Sequence, residues 1–333
     1  MLFPLDRSRT TAPLMISVVI PTRNRPASVE HAVRSALNQT FSDIEVIVVI
    51  DGVDDETSRA LHRIQDTRLR LVPLADNVGG SEARNVGARE ARGEWIALLD
   101  DDDEWMPTKL EKQLAVGERS TCQYPIVATA LIARSQRGDL RWPRKPPTYP
   151  LSEYLFVRNS PFQGEGVLQT STLMTKRELL LQVPFTRGLR RHQDWDWVLR
   201  AGSAPGAGVE FLPEALAIWN IDDPQSPLKT KYHWRYSLEW IRANREQVTP
   251  KAYAGFVAVT LSAQASWQGD WRAFWPLFKE ITGGGGTPRP MDFALFFAMW
   301  FLPRNFRHVM RSLFSGKQKP SHYTSQAEPQ TIR

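Results

Sequence analysis

Residues Ile16–Ile20 read ISVVI, an unbroken β-branched run that stops at Pro21. Such runs mark strands covered on both faces. Pro26 suits the first position of a helix, and Val29, Ala32, Val33, Ala36 and Leu37 follow at helical spacing as one apolar stripe. Glu45–Ile50 (EVIVVI) predicts a second buried strand. Asp54 or Asp55 is placed to cap a short helix that turns Ala60, Leu61 and Ile64 inward. Leu69–Pro73 predicts a third strand. Ser81 is placed to cap a helix carrying Ala83, Val86 and Ala91, and Trp95–Leu99 predicts a fourth strand that runs into four aspartates. This alternation predicts an α/β fold, a mostly parallel sheet flanked by helices.

Beyond residue 120 the pattern is less regular. Ile126–Ile132 predicts a strand, and the basic, Pro-rich Arg141–Pro150 a loop. Thr175 and Glu178 have capping-box spacing ahead of Leu179–Leu181, and Arg191–Ala201 predicts a helix. From about Lys229 the chain reads as helical and rich in Trp and Phe, with a break at Gly283–Gly286. The expected organisation is an extension over 1–14, an α/β domain over 15–228 with halves at 15–120 and 121–228, a helical region over 229–315, and a flexible tail over 316–333. The extension lacks the apolar core of a signal peptide. Phe293–Leu302 (FALFFAMWFL) is too short to span a bilayer alone.

Length and composition narrow the picture. The 333 residues suit two domains, or one large domain with an appendix, at about 100–200 residues each. With 42% hydrophobic and 23% charged residues, a disordered or fibrous chain is excluded. The net charge of +6 permits phosphate-bearing or anionic-membrane partners. The single cysteine, Cys122, excludes an internal disulfide and a multi-cysteine metal site, which favours a reduced, cytoplasmic setting. Cys122 itself reads as a small buried hydrophobe. The 12 Trp suit sugar stacking and membrane interfaces as well as cores.

Parallel sheets bind ligands at the carboxyl ends of their strands. Those ends carry Pro21–Arg25, Asp51–Asp55 and Asp100–Glu104. Five consecutive carboxylates repel one another unless a cation or hydrogen bonds offset the charge. Mg²⁺ or Mn²⁺ suits such a site, with a substrate phosphate completing its shell. A solvated acidic loop leading to the helix near Pro107 is the alternative. In an extended segment Asp100 and Asp102 share a face.

Four segments in order resemble the family 2 glycosyltransferases: SVVIPTRNR at 17–25, VVIDG at 48–52, NVGGSEARNVGARE at 77–90 and GEWIALLDDDDEWMP at 93–107. A later segment, RHQDWDWVLRA at 191–201, resembles that family's acceptor-side motif. The likeness spans about residues 15–220. It implies the Rossmann-like fold called GT-A and transfer of a sugar from a nucleotide-diphosphate donor, UDP by family habit. It implies that Pro21 and Thr22 cradle the base, that Asp51 hydrogen-bonds it, and that Arg84 lies near the phosphates. Asp100 and Asp101 match the nucleotide-facing part of the D-x-D segment, Asp102 its metal ligand, and Asp194 the catalytic base. Two positions depart from the family pattern. One acidic residue is missing after strand two, where the chain has Ile50-Asp51-Gly52-Val53, and Gln193 stands where Glu is common.

The chemistry these residues allow is a metal-assisted single displacement with inversion. Asp194 near a helix start is expected to be ionised at neutral pH. Trp195, Trp197 and His192 are candidates for acceptor contact, or for core and helix-start roles. A nucleotidyltransferase is disfavoured because Pro21–Arg25 contains no glycine. An inactive sugar-nucleotide-binding scaffold is disfavoured by the complete metal and base motifs. No aromatic-basic nucleic-acid module is evident. Expected partners are the donor and a glycan or lipid-linked acceptor. Arg304, Arg307, His308 and Arg311 at helical spacing, with Val309, Met310, Leu313 and Phe314, suggest a basic amphipathic helix for the inner face of the cell membrane; packing of the C-terminal helices on the catalytic domain or on a second subunit is the alternative.

Overall fold

A computed structural model describes residues 15–136, 138–143, 145–159, 166–221 and 233–302. The 1–14 extension, the basic segment after 302 and the 316–333 tail lie outside the described residues. The first half runs β1 (Ile16–Thr22), α1 (Pro26–Leu37), β2 (Ile44–Ile50), α2 (Asp55–Leu61), β3 (Leu69–Pro73), α3 (Gly80–Glu90), β4 (Trp95–Leu98), β5 (Glu104–Trp105) and α4 (Lys109–Gly117). The second half runs β6 (Tyr124–Arg134), β7 (Leu140–Trp142), α5 (Leu151–Phe156), β8 (Leu173–Lys176), α6 (Arg177–Gln182), α7 (Gln193–Gly202) and β9 (Ala207–Asn220). Among the described residues the α-helices that follow are α8 (Trp234–Ala243), α9 (Pro250–Gly255), α10 (Ser262–Trp267), α11 (Phe274–Gly283) and α12 (Pro290–Phe301).

One sheet of nine strands runs in the order β3-β2-β1-β4-β8-β6-β9-β5, with β7 beside β6. Strands β1 to β4 are mutually parallel, as the alternation predicts. Beyond β4 the sheet is mixed: β8 runs antiparallel to β4 and β6, while β6 and β9 run parallel. Every residue of β1 and β2 is buried, which explains their lack of polar alternation. Helix α3 lies close on β1 because position 87 is glycine; a Cβ there would sit 2.3 Å from Val19 Cγ1.

Several local expectations change. Asp54 caps α2 by accepting from Thr57 N. Ser81 does not cap α3; the cap is Gly79, two residues earlier, at φ +83°. Thr175 belongs to β8 and donates to the Pro125 carbonyl, so the capping-box spacing before α6 is coincidental. The segment read as a loop from Arg141 starts inside β7. Cys122 is half-buried and not fully inside.

The C-terminal helices pack back on the α/β core. Leu151, Phe156 and Trp197 share one apolar cluster with Trp240, Phe256 and Trp300. No helix of the described residues is long and apolar enough to cross a membrane.

Candidate active site

The acidic run resolves its own repulsion by sending each side chain to a different partner. Strand β4 ends at Leu98 and the chain turns at Asp101–Asp102, so the residues are not extended there. Asp101 accepts from Thr22 Oγ1 at 2.8 Å and from Arg25 Nη1 at 2.9 Å. Asp102 accepts from the same Arg25 Nη1 at 2.9 Å. The adjacent pair Asp101 and Asp102 therefore shares one cation, in place of the expected pairing of Asp100 with Asp102. Asp100 instead meets the Arg84 guanidinium and Gln169. Asp103 is fully buried and accepts from Ser171 Oγ at 2.6 Å and Gln169 Nε2 at 2.7 Å. Asn220 at the end of β9 clamps the turn by donating to the Asp102 carbonyl at 2.7 Å.

Burial raises the carboxyl of Asp101 to about pKa 6, against the pull of Arg25 and with a further push from Asp102. Two hard carboxylates converging on one cation fit a divalent ion such as Mg²⁺ or Mn²⁺, which binds well through one or two carboxylates plus substrate phosphates. Among the described residues no cluster of three or more His, Cys, Asp or Glu forms a self-sufficient metal cage. The remaining oxygen ligands would thus come from the donor and water.

Arg84 reaches the rim from the first turns of α3. It is buried, pairs with Asp100, and donates from Nη1 to Gln193 Oε1 at 2.6 Å. Among the described residues its Nε has no hydrogen-bond partner. Gln193 opens α7, so the Asp100–Arg84–Gln193 chain ties the β4 end to the helix that carries Asp194. A glutamine serves here because the arginine needs only one acceptor from it; the amide nitrogen donates to the Leu189 carbonyl.

Asp194 occupies the first turn of α7. It is half-buried, and its Oδ1 accepts from Trp195 N at 2.9 Å. Burial lifts its pKa to about 6; the Trp195 N–H and Arg84 pull it down, and Asp100 pushes it up. The helix N-terminus is thus outweighed by burial, though the group is still ionised for the most part at pH 7. Asp100 and Arg84 both act electrostatically on this carboxyl, which places it in their neighbourhood.

The other expected positions fall nearby. Pro21 and Thr22 end β1 and are buried, and the Thr22 carbonyl accepts from Asp51 N at 2.9 Å. Asp51 holds the loop before α3, accepting from Val78 N at 2.6 Å and Gly79 N at 3.0 Å. His192 is not at the rim: it is buried between Trp195 and Trp240, with Nε2 2.8 Å from Ser237 Oγ. Burial holds its imidazole well below the usual range, hence neutral. Trp197 is a core residue stacked on Phe185. Arg25, Gln169, Ser171 and Asn220 carry no assigned role in the sequence reading. Arg25 had a signal: with Arg23 it is one of two cations close behind β1, opposite an acidic run. The other three come from segments without local periodicity.

The sequence model described as Glycosyl transferase family 2 matches residues 17–183. The chain belongs to this family. An uncharacterized glycosyltransferase of Haemophilus influenzae is 38% identical over 240 residues, covering 72% of this chain and 79% of that protein. The amylovoran biosynthesis glycosyltransferase AmsB of Erwinia amylovora is 28% identical over 242 residues, covering 71% and 79%. Among solved structures, S. aureus TarS in complex with UDP-GlcNAc superposes with a TM-score of 0.59 at 18% identity, covering 81% of this chain and 80% of that one. The fold is thus GT-A, and this chain is a glycosyltransferase.

Proposed function

We propose that this glycosyltransferase moves a sugar from a UDP-sugar to a hydroxyl of a glycan or lipid-linked glycan, by metal-assisted single displacement with inversion. The observation that carries this reading is the Asp100–Arg84–Gln193 chain. It couples the Asp101–Asp102 turn to the Asp194 helix on one rim. Its relative AmsB bears the name of a polysaccharide pathway, and its structural neighbour TarS was crystallised with UDP-GlcNAc.

Pro21, Thr22 and the loop held by Asp51 would receive the base and ribose. Asp102, with Asp101, would hold Mg²⁺ or Mn²⁺. When bound, that ion neutralises charge growing on the departing diphosphate. Arg84 adds a fixed positive charge beside the phosphates. Asp194 accepts the proton from the acceptor hydroxyl as the oxygen forms its bond to C1. The C1–oxygen bond to phosphate breaks on the opposite face, its electron pair leaves with UDP, and the anomeric configuration inverts. The setting we infer is cytoplasmic, peripheral at the inner face of the cell membrane, where a lipid-linked acceptor would be met. Residues 15–228 carry the chemistry in this reading, and 229–315 the attachment.

A screen of UDP-sugars, with released nucleoside diphosphate as readout, tests the activity. Chelation should abolish release, and NMR of the product should show the inverted anomer. Release that is indifferent to chelation, or a retained anomer, would refute the mechanism.

A further inference from the structure

Four of the exposed large aromatic side chains among the described residues gather at one end of the C-terminal helices. Trp271 is 56% exposed, Trp275 66%, Phe297 42% and Phe301 61%. They form one surface: the Phe301 ring centroid lies 6.0 Å from Trp271 and 6.2 Å from Phe297, and Phe274 bridges Phe301 to Trp275 at 5.8 and 5.2 Å. At about 150–250 Å² per aromatic side chain, the exposed patch is on the order of 400–500 Å². That matches the largest apolar patch of a typical soluble monomer, about 300–600 Å², which is often a functional surface.

The edge of this patch is positively charged. Trp275 also lines a cavity of about 730 Å³ bounded by Arg242, Arg245 and Lys279. Glu280 is the one acid in that lining and is held by Arg242 and by the Tyr253 hydroxyl. Three cations against one acid leave the lining two charges positive. Arg272, beside Trp271, is exposed. The chain leaves the described residues just past Leu302, at the patch, and residues 303–319 contain five Lys or Arg and no Asp or Glu.

We propose that this face docks on an anionic lipid bilayer. The aromatic rings lie at the headgroup boundary, and a lipid phosphate seats among Arg242, Arg245 and Lys279. Trp and Phe favour that boundary, and cations favour an anionic surface. Charge argues against the other occupants. A second copy would bring the same cations to the contact, and residues 303–319 offer no acid to meet them. The proposal rests on the reading that the acceptor is membrane-borne, and it assigns the surface that would bring the enzyme there.

The test is flotation of the full chain with phosphatidylcholine vesicles, with and without phosphatidylglycerol. The expected result is binding to the anionic vesicles alone, with a blue shift of Trp emission. The triple variant Trp271→Ala, Trp275→Ala, Phe301→Ala should lower partitioning at least tenfold. Arg272→Glu with Lys279→Glu should remove the preference for phosphatidylglycerol. All variants should keep the wild-type melting temperature. Equal binding to both vesicle types, or unchanged binding of the triple variant, overturns the proposal. So does a dimer in light scattering that the triple variant splits without altering lipid binding. Nucleoside diphosphate release in vesicle-free buffer reports the transferase reading separately and should be the same in wild type and variants.

Discussion

Replacing Asp194 by Asn removes a proton acceptor while keeping the shape and the oxygen that accepts from Trp195 N. The structure sets two magnitudes. A general base contributes about 10²–10⁴-fold to the rate, so turnover at pH 7.5 should fall by that factor. The second follows from the raised pKa of about 6. A base acts only when ionised, so activity is full above this pKa and is lost as pH falls through it. With a pKa of about 6, about 97% of Asp194 is ionised at pH 7.5 and about 9% at pH 5, a drop of roughly tenfold in wild-type turnover. The assay is turnover from pH 5 to 8 with donor and Mn²⁺ saturating, which reports the loaded enzyme and not metal capture by Asp101. Donor affinity of the variant, measured by calorimetry, should stay near that of wild type. A variant within tenfold of wild-type turnover, or one that keeps the acidic limb near pH 6, would refute the assignment of Asp194.

Asp102→Ala should abolish metal-dependent donor binding with little loss of fold, because the residue lies on a turn outside the core; calorimetry with UDP-sugar and Mn²⁺ checks this, and unchanged affinity rejects the metal role. Arg25→Ala leaves Asp101 and Asp102 without their shared guanidinium, so Mn²⁺ should raise the melting temperature more in the variant than in wild type; an equal or smaller rise shows that Arg25 does not compete for that site. Gly87→Ala drives a Cβ to 2.3 Å from Val19 Cγ1 in the middle of β1 and should destabilise by about 1–3 kcal/mol in chemical denaturation, whereas a neutral or stabilised variant would mean that α3 can shift off the sheet.

The first hundred residues were legible because the forces that shape them are local in sequence. Strands buried on both faces need continuous apolar runs, and ISVVI and EVIVVI are such runs. Amphipathic helices need a stripe, and Val29 to Leu37 supply one that is wholly buried. Residues at the ends of parallel strands must share a rim, so Thr22, Asp51 and the acidic run could be placed together from order alone. The second half was less legible. The 14-residue β9 carries Pro213 and Glu214 in its middle, and its register against β6 shifts twice. That irregular pairing hides the period of two on which a strand is recognised.

The sequence by itself determined the fold class, the family and where along the chain the acidic run and Asp194 stand, because each depends on residue type and spacing along the chain. Only the tertiary structure decided how those carboxylates are partnered. Arg25 and Asp101 are 76 residues apart, Arg84 and Gln193 109, and His192 and Ser237 45. No local pattern encodes contacts over such separations, since they exist only when separate elements pack. The pKa of Asp194 belongs to the same class. Its helix position argued for a carboxyl held low, and packing reversed the sign of the shift, because burial acts on the charged form more strongly than one helix terminus does.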